Sequence, residues 1–105
     1  MADSAALIDR FIDALWIEDG LAANSLQAYR RDLTLFADWL QTQGGSEILA
    51  SRESDLQAYA VHRHAGTRTS TANRRLTVFK RFFRWALREH LVPADPTLRL
   101  HSAKP

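Results

Sequence analysis

A chain of 105 residues with 46% hydrophobic and 25% charged residues has the size and composition of one globular domain, which excludes extended disorder. The absence of cysteine excludes disulfides, cysteine-ligated metals and a thiol nucleophile. The net charge of +2 is unevenly distributed along the chain. Residues 1–61 hold four Arg and ten acidic residues (−6), whereas residues 62–105 hold ten Lys or Arg and two acidic residues (+8). The second part is therefore expected to have an anionic partner.

Hydrophobic residues recur with a 3.6-residue period, and breakers are few, with four Gly and three Pro. This pattern predicts an all-α fold with four amphipathic helices. The first helix is expected to span Ser4–Ile17 and to stop at Asp19-Gly20. The second is expected to begin near Asn24 or Ser25, either of which can cap free N–H groups, and to end at Gly44-Gly45.

The third helix is predicted over residues 54–63, with Leu56, Tyr59 and Ala60 buried. The fourth is predicted to start with Ser70 or Thr71 as its cap and to reach about residue 90. After it, an Asp-Pro pair at 95–96 suits a cap that opens one extra helical turn over residues 98–100. We therefore assign residues 1–100 to a helical domain and 101–105 to the start of a linker.

The apolar side of the fourth helix is expected to complete the core. At about 100° per residue, this side collects Ala72, Leu76, Phe79, Phe82, Phe83, Ala86 and Leu87. From the stripes of three helices, we expect one core in which Phe11, Leu33, Phe36, Leu76, Phe79 and Phe83 meet.

The opposite side of the fourth helix is basic and polar. It carries Ser70, Asn73, Arg74, Thr77, Arg81, Arg84 and Arg88, with Lys80 at its margin. A helix fits the major groove of DNA, where Arg binds phosphates or guanine edges and short polar side chains hydrogen-bond to bases or phosphates. We therefore predict a DNA-binding face, and a merely solvated basic face is the alternative.

The second helix repeats this pattern on a smaller scale. Ser25, Gln27 and Arg31 lie in its first turns, away from the core, where the helix dipole adds anion affinity. Asp38 follows on the same side and would repel phosphate. We expect DNA contact only near the amino-terminal end of this helix.

The His, Tyr and Trp residues are interpreted as structural residues and not as parts of a functional site. The four His form no convincing ligand set, Tyr29 and Tyr59 fall on apolar stripes, and no nucleophile–base pair is present, so we expect no metal, cofactor, small-molecule ligand or catalytic residue. The three Trp, at 16, 39 and 85, are expected to cap the core. No apolar run approaches the roughly 18 residues of a membrane span and residues 1–6 lack signal-peptide features, so a cytoplasmic protein without a membrane partner is expected.

Several stretches resemble a known family. The runs Ile8–Glu18, Asn24–Leu33 and Ser54–Tyr59, and the fourth helix through Asp95-Pro96, are similar to the opening of XerD-type tyrosine recombinases of the phage-integrase family. The resemblance implies a SAM-like core-binding domain whose second and fourth helices face DNA. In such a protein the catalytic domain follows the linker, so this chain alone is not expected to be an enzyme.

The same resemblance implies partners. They are a double-stranded recombination site, a XerC-like recombinase and further copies in a synaptic tetramer, acting in chromosome dimer resolution at cell division. A XerC-like protein or a phage or transposon integrase is an alternative parent. A rival class is a protein-interaction module in which the acidic first helix of one copy docks on the basic fourth helix of another.

Overall fold

The computed structural model describes residues 3–102, and every regular element there is helical. The predicted all-α class with four main helices is confirmed: α1 is Ser4–Ala14, α2 is Ala23–Thr42, α3 is Glu53–His64 and α4 is Thr69–Arg88. The residues form two compact units, one ending at Ile48 with α1 and α2, and one beginning at Leu49 with α3 and α4. Of the predicted linker, residues 101 and 102 have no regular structure, and residues 103–105 lie outside the described range.

In the first unit, α1 begins with a capped turn, since Oδ1 of Asp3 accepts a hydrogen bond from the N–H of Ala5 at 3.0 Å. The helix was expected to continue regularly to Ile17, but its last turn, Leu15–Asp19, is a π-helix that ends at Gly20 in the left-handed conformation (φ +62°). The wider π-turn keeps Leu15 buried and leaves Trp16 60% exposed. The prediction that Trp16 caps the core is therefore wrong.

The second helix, α2, starts one or two residues earlier than the predicted caps. Ala22 is the residue before its first turn and makes no side-chain hydrogen bond, so the predicted capping by Asn24 or Ser25 is wrong. Most of its apolar stripe is buried as expected: Leu26, Leu33, Phe36, Ala37 and Leu40. The prediction that Tyr29 is a core residue is wrong, because it is only half-buried, as is Trp39. An ion pair between Arg30 and Asp9 joins α2 to α1.

In the second unit, α3 begins where the carboxylate of Asp55 accepts the backbone N–H of Arg52 at 2.8 Å. Leu56 and Tyr59 are buried, which confirms that Tyr59 is a core residue, whereas Ala60 is exposed, contrary to expectation. The Tyr59 ring packs against Phe79 of α4 with ring centroids 6.1 Å apart. These contacts hold α3 against the first half of α4.

The buried side of α4 is rotated by about 60° from the predicted arc. Leu87 is 40% exposed and Ala72 and Leu76 are half-buried, whereas Val78 and Trp85 are buried with the expected Phe79, Phe82, Phe83 and Ala86. The predicted burial of Leu87 is wrong because α4 packs on the side that carries Trp85, whose ring lies 5.9 Å from that of Phe82. That Phe11, Leu33, Phe36, Leu76, Phe79 and Phe83 meet in one core stays a prediction.

Both ends of α4 are set by the backbone. The helix starts at Thr69 after Arg68, without a side-chain cap, so the predicted capping by Ser70 or Thr71 is wrong. At the other end, His90 adopts φ +60° and donates its N–H to the carbonyl of Leu87, while the N–H of Leu91 bonds to the carbonyl of Ala86. This pair of bonds is a Schellman motif, in which glycine is the usual left-handed residue.

The segment after α4 contains the predicted turn. Oδ1 of Asp95 accepts hydrogen bonds from the N–H (2.8 Å) and hydroxyl (2.6 Å) of Thr97, and the N–H of Leu100 donates to the carbonyl of Thr97 at 3.0 Å. The last of these bonds closes a turn over residues 97–100, where the sequence predicted a helical turn, and residues 96–99 are turn residues and not regular helix. Nζ of Lys80 donates to the carbonyl of Thr97 at 2.6 Å, which ties the turn to α4.

Candidate nucleic-acid interface

One side of α4 forms a continuous polar stripe. Its exposed members are Ser70, Arg74, Thr77, Arg84 and Arg88, which we call the α4 stripe. At about 100° and 1.5 Å per residue, these five positions fall within an arc of about 80° and extend for about 27 Å. Most of the predicted face is therefore presented to solvent as one narrow, straight surface.

The charge of the α4 stripe is positive along its whole length, because α4 contains no Asp or Glu. The first acidic residue after the helix is Glu89, whose carboxylate lies 3.5 Å from Nε of Arg88. This exposed pair partly neutralises the last Arg of the stripe. Arg74 and Arg84 are therefore the stronger candidates for binding an anion.

One of the predicted polar side chains is engaged within the helix. The hydroxyl of Thr77 donates to the carbonyl of Asn73 at 3.1 Å, so its oxygen is left to act as an acceptor. Asn73 itself is half-buried. Among the early residues of the stripe, Arg74 carries the most hydrogen-bond donors that could face a base edge.

Two other residues of the predicted face are less accessible: Lys80 at its margin and Arg81 within the arc of the stripe. Lys80 is half-buried, and its ammonium group binds the carbonyl of Thr97. Arg81 is also half-buried, and its Nη1 atom is inaccessible to solvent. Lys80 and Arg81 would have to leave these positions to reach a ligand on the stripe.

The α2 candidates belong to the first unit and do not share one side of their helix. Gln27 and Arg31 are exposed within about 40° of one another, whereas Ser25 is half-buried and points more than about 100° away. Asp38 is exposed on the same side as Arg31, about two turns later. That DNA contacts only the amino-terminal part of α2 stays a prediction.

Two arginines of interest were not among the predicted site residues. Arg68 is exposed immediately before α4, in a loop that the sequence marks only as polar. Arg75 is 95% buried, and its guanidinium lies 5.8 Å from the centre of the Tyr59 ring. The sequence did contain the signal for Arg75, because it precedes Phe79 by four residues and so falls on the apolar side.

Neither a metal site nor a membrane-spanning helix is found in the described part of the chain. Within residues 3–102 there is no group of three or more His, Asp or Glu side chains placed to hold a metal ion. Nor does any helix there combine the length and hydropathy that a membrane span requires.

Comparison with known proteins identifies relatives. The tyrosine recombinase XerD of Ralstonia nicotianae is 59% identical over 101 residues, which cover 96% of this chain and 32% of that protein. XerD proteins of Pseudomonas putida and Pseudomonas aeruginosa are 44% and 40% identical over 94 residues, which cover 90% of this chain and 32% of each of those proteins.

The chain therefore spans about a third of the length of the curated relatives it matches. The expected resemblance to XerD-type tyrosine recombinases is confirmed. A family model, the N-terminal SAM-like domain of phage integrases, matches residues 8–90. This chain is a member of the phage integrase N-terminal SAM-like domain family.

Proposed function

We propose that this chain binds double-stranded DNA as the N-terminal part of a XerD-like site-specific tyrosine recombinase, and that the α4 stripe is its main contact. The observation that carries the proposal is the exposure of Arg74 and Arg84 on one acid-free side of a 20-residue helix. Such a surface costs self-repulsion unless an anionic partner neutralises it. The similarity to XerD proteins supports DNA as that partner.

The two ends of the stripe are proposed to do different work. Arg74 and Ser70 lie at the start of α4, where recognition helices meet base edges, and Thr77 adds an acceptor oxygen one turn later. Arg84 and Arg88 lie on later turns and are proposed to hold phosphates. Lys80, Arg81 and Asn73 are secondary contacts, and so are Ser25, Gln27 and Arg31 at the start of α2.

The biological role follows from the same similarity. We propose that the DNA is a chromosomal dimer-resolution site that is shared with a XerC-like partner in a tetrameric synapse in the cytoplasm. Cleavage and rejoining of strands would be performed by a catalytic domain outside these 105 residues. The α4 stripe would hold the site while that chemistry proceeds.

The test is a comparison of two arginine variants on two duplexes. Fluorescence anisotropy would measure the affinity of the 105-residue chain for a labelled recombination site and for a scrambled duplex, over a range of salt concentrations. Arg84→Ala should weaken binding to both duplexes and reduce the slope of log affinity against log salt by about one unit, because one phosphate contact is lost. Arg74→Ala should cost about 1–3 kcal/mol on the true site and little on the scrambled one.

The matched control is Arg10→Ala, which removes one exposed positive charge from α1. It should leave both affinities close to those of the unmodified chain. If all three variants remain folded and bind alike, the α4 stripe is not the DNA surface. The rival interpretation, a protein-interaction module, would then be preferred.

A further inference from the structure

Lys80 links the margin of the predicted DNA-binding face to the segment after α4. Its ammonium group donates to the backbone carbonyl of Thr97 at 2.6 Å, and its side chain is half-buried. The bond spans 17 residues of sequence and ties the turn near residue 97 to the middle of α4. Lys80 thus belongs to the predicted face but is held by a backbone group outside the helix.

Lys80 also lies one turn before Arg84. Positions four apart on a helix differ by about 40° in direction, and their side chains are neighbours. Arg84 is exposed on the α4 stripe, whereas the ammonium of Lys80 binds Thr97 to one side of it. An anion bound by Arg84 is therefore within reach of Lys80, once that side chain rotates away from the Thr97 carbonyl.

The Thr97 carbonyl can lose the ammonium without being left unpaired. It also accepts the N–H of Leu100 at 3.0 Å, so this buried residue keeps a hydrogen bond to its carbonyl. The carbonyl is neutral, whereas a phosphate oxygen is charged, and a hydrogen bond between two charged groups is the stronger one. A change of partner by Lys80, from the carbonyl to a phosphate, is therefore favourable when a duplex lies on the α4 stripe.

This change of partner would loosen the segment after α4. Oδ1 of Asp95 binds both the N–H and the hydroxyl of Thr97, which shapes the turn itself. Further along, Arg99 forms an ion pair with Glu53 of α3, and because Arg99 is exposed this pair contributes little. The bond from Lys80 adds a tether to α4, and its loss allows the turn to open more often.

We propose that Lys80 exchanges the Thr97 carbonyl for a DNA phosphate when a duplex binds the α4 stripe, so that DNA binding loosens the turn over residues 97–100. The proposal rests on the proposed function. Coupling between two contacts is reciprocal, so a change that loosens the turn in the free chain should strengthen DNA binding. In the proposed full-length recombinase, the turn precedes the linker, and DNA binding would increase the freedom of the catalytic domain beyond it.

The first experiment is amide hydrogen exchange followed by NMR, in the free 105-residue chain and with a saturating scrambled duplex at low salt. The N–H of Leu100 should exchange about tenfold faster in the complex, because the turn has lost a charge-assisted tether. The control is the N–H of Leu91, which bonds to the carbonyl of Ala86 at the end of α4 and should not exchange faster. In Lys80→Met, which keeps the apolar stem, Leu100 should exchange fast with or without DNA.

A pair of Asp95 variants tests the reciprocal effect on DNA affinity. Asp95→Ala removes the acceptor of the Thr97 N–H and hydroxyl, whereas Asp95→Asn removes the same negative charge and keeps an oxygen at that position. Asp95→Ala should bind the scrambled duplex about fivefold more tightly than Asp95→Asn, the lower end of typical couplings between two sites. This difference should disappear when both variants also carry Lys80→Met, because the group that links the two contacts is then absent.

Two results would overturn the proposal: exchange at Leu100 that is unchanged or slower in the complex, or a difference between the Asp95 variants that persists without Lys80. If Asp95→Ala does not fold, exchange in the unmodified chain and in Lys80→Met decides the matter. A chain that binds no duplex would overturn the proposed function as well. A chain that binds DNA through Arg84 and leaves Leu100 unchanged would overturn only the change of partner.

Discussion

Replacing Phe79 by Ala tests the packing that positions α4. The Phe79 side chain is 4% exposed and packs on the Tyr59 ring, and truncation of a buried Phe costs about 3–5 kcal/mol. Because Phe79 also lines a cavity of about 460 Å³ between α3 and the first half of α4, its removal enlarges an existing open space, which reduces the penalty for a new void. We therefore expect the lower end, about 3 kcal/mol, or a fall in Tm of about 12–24 °C for a domain of this size.

The assay is thermal unfolding followed by circular dichroism, with urea unfolding as a second measure. The control is Leu87→Ala on the same helix, which should cost about 1 kcal/mol because Leu87 is 40% exposed. The sequence pattern places both residues on one apolar side, so only the rotated arc of the structure predicts a difference between them. Equal losses in the two variants, or an unchanged Tm in Phe79→Ala, would refute this packing.

Two further predictions concern the end of the second unit. His90→Gly should raise the free energy of unfolding, measured in urea, by about 0.5 kcal/mol. The gain is small because glycine adopts φ +60° without strain but loses more chain entropy on folding. His90→Ala, the control, should give no such gain. Asp95→Ala should cost about 1–3 kcal/mol and accelerate amide exchange at Thr97 and Leu100, because the buried Thr97 hydroxyl loses its acceptor; unchanged exchange would contradict the role given to Asp95.

The existence and order of the helices could be predicted because long amphipathic periods and glycine stops are strong signals. Gly20 and the Gly44-Gly45 pair end their helices as expected, each with a positive φ. The starts of the helices could be predicted less accurately than their ends. A side-chain cap contributes only about 1 kcal/mol, and at Ala22 and Arg68 the backbone enters the helix without one.

In the candidate site, too, some features could be predicted from the sequence and others could not. Periodicity located the basic side of α4 and the exposure of Arg74 and Arg84, because opposite sides of a helix differ in the residues they carry. It could not locate the engagement of Lys80 with Thr97, which lies 17 residues away in sequence. Nor could it anticipate that a π-turn exposes Trp16, since a sliding 3.6-residue period assumes a regular helix to the end.

The Lys80–Thr97 bond has a consequence for how the protein changes over evolution. The acceptor is a backbone carbonyl, so substitutions at position 97 leave that acceptor in place, provided that the turn is kept. The turn itself depends on the carboxylate of Asp95. We therefore expect positions 80 and 95 to vary together among relatives, with a long hydrogen-bond donor at 80 wherever an acceptor is retained at 95. We expect the residue at position 97 to vary more than its complete burial would suggest.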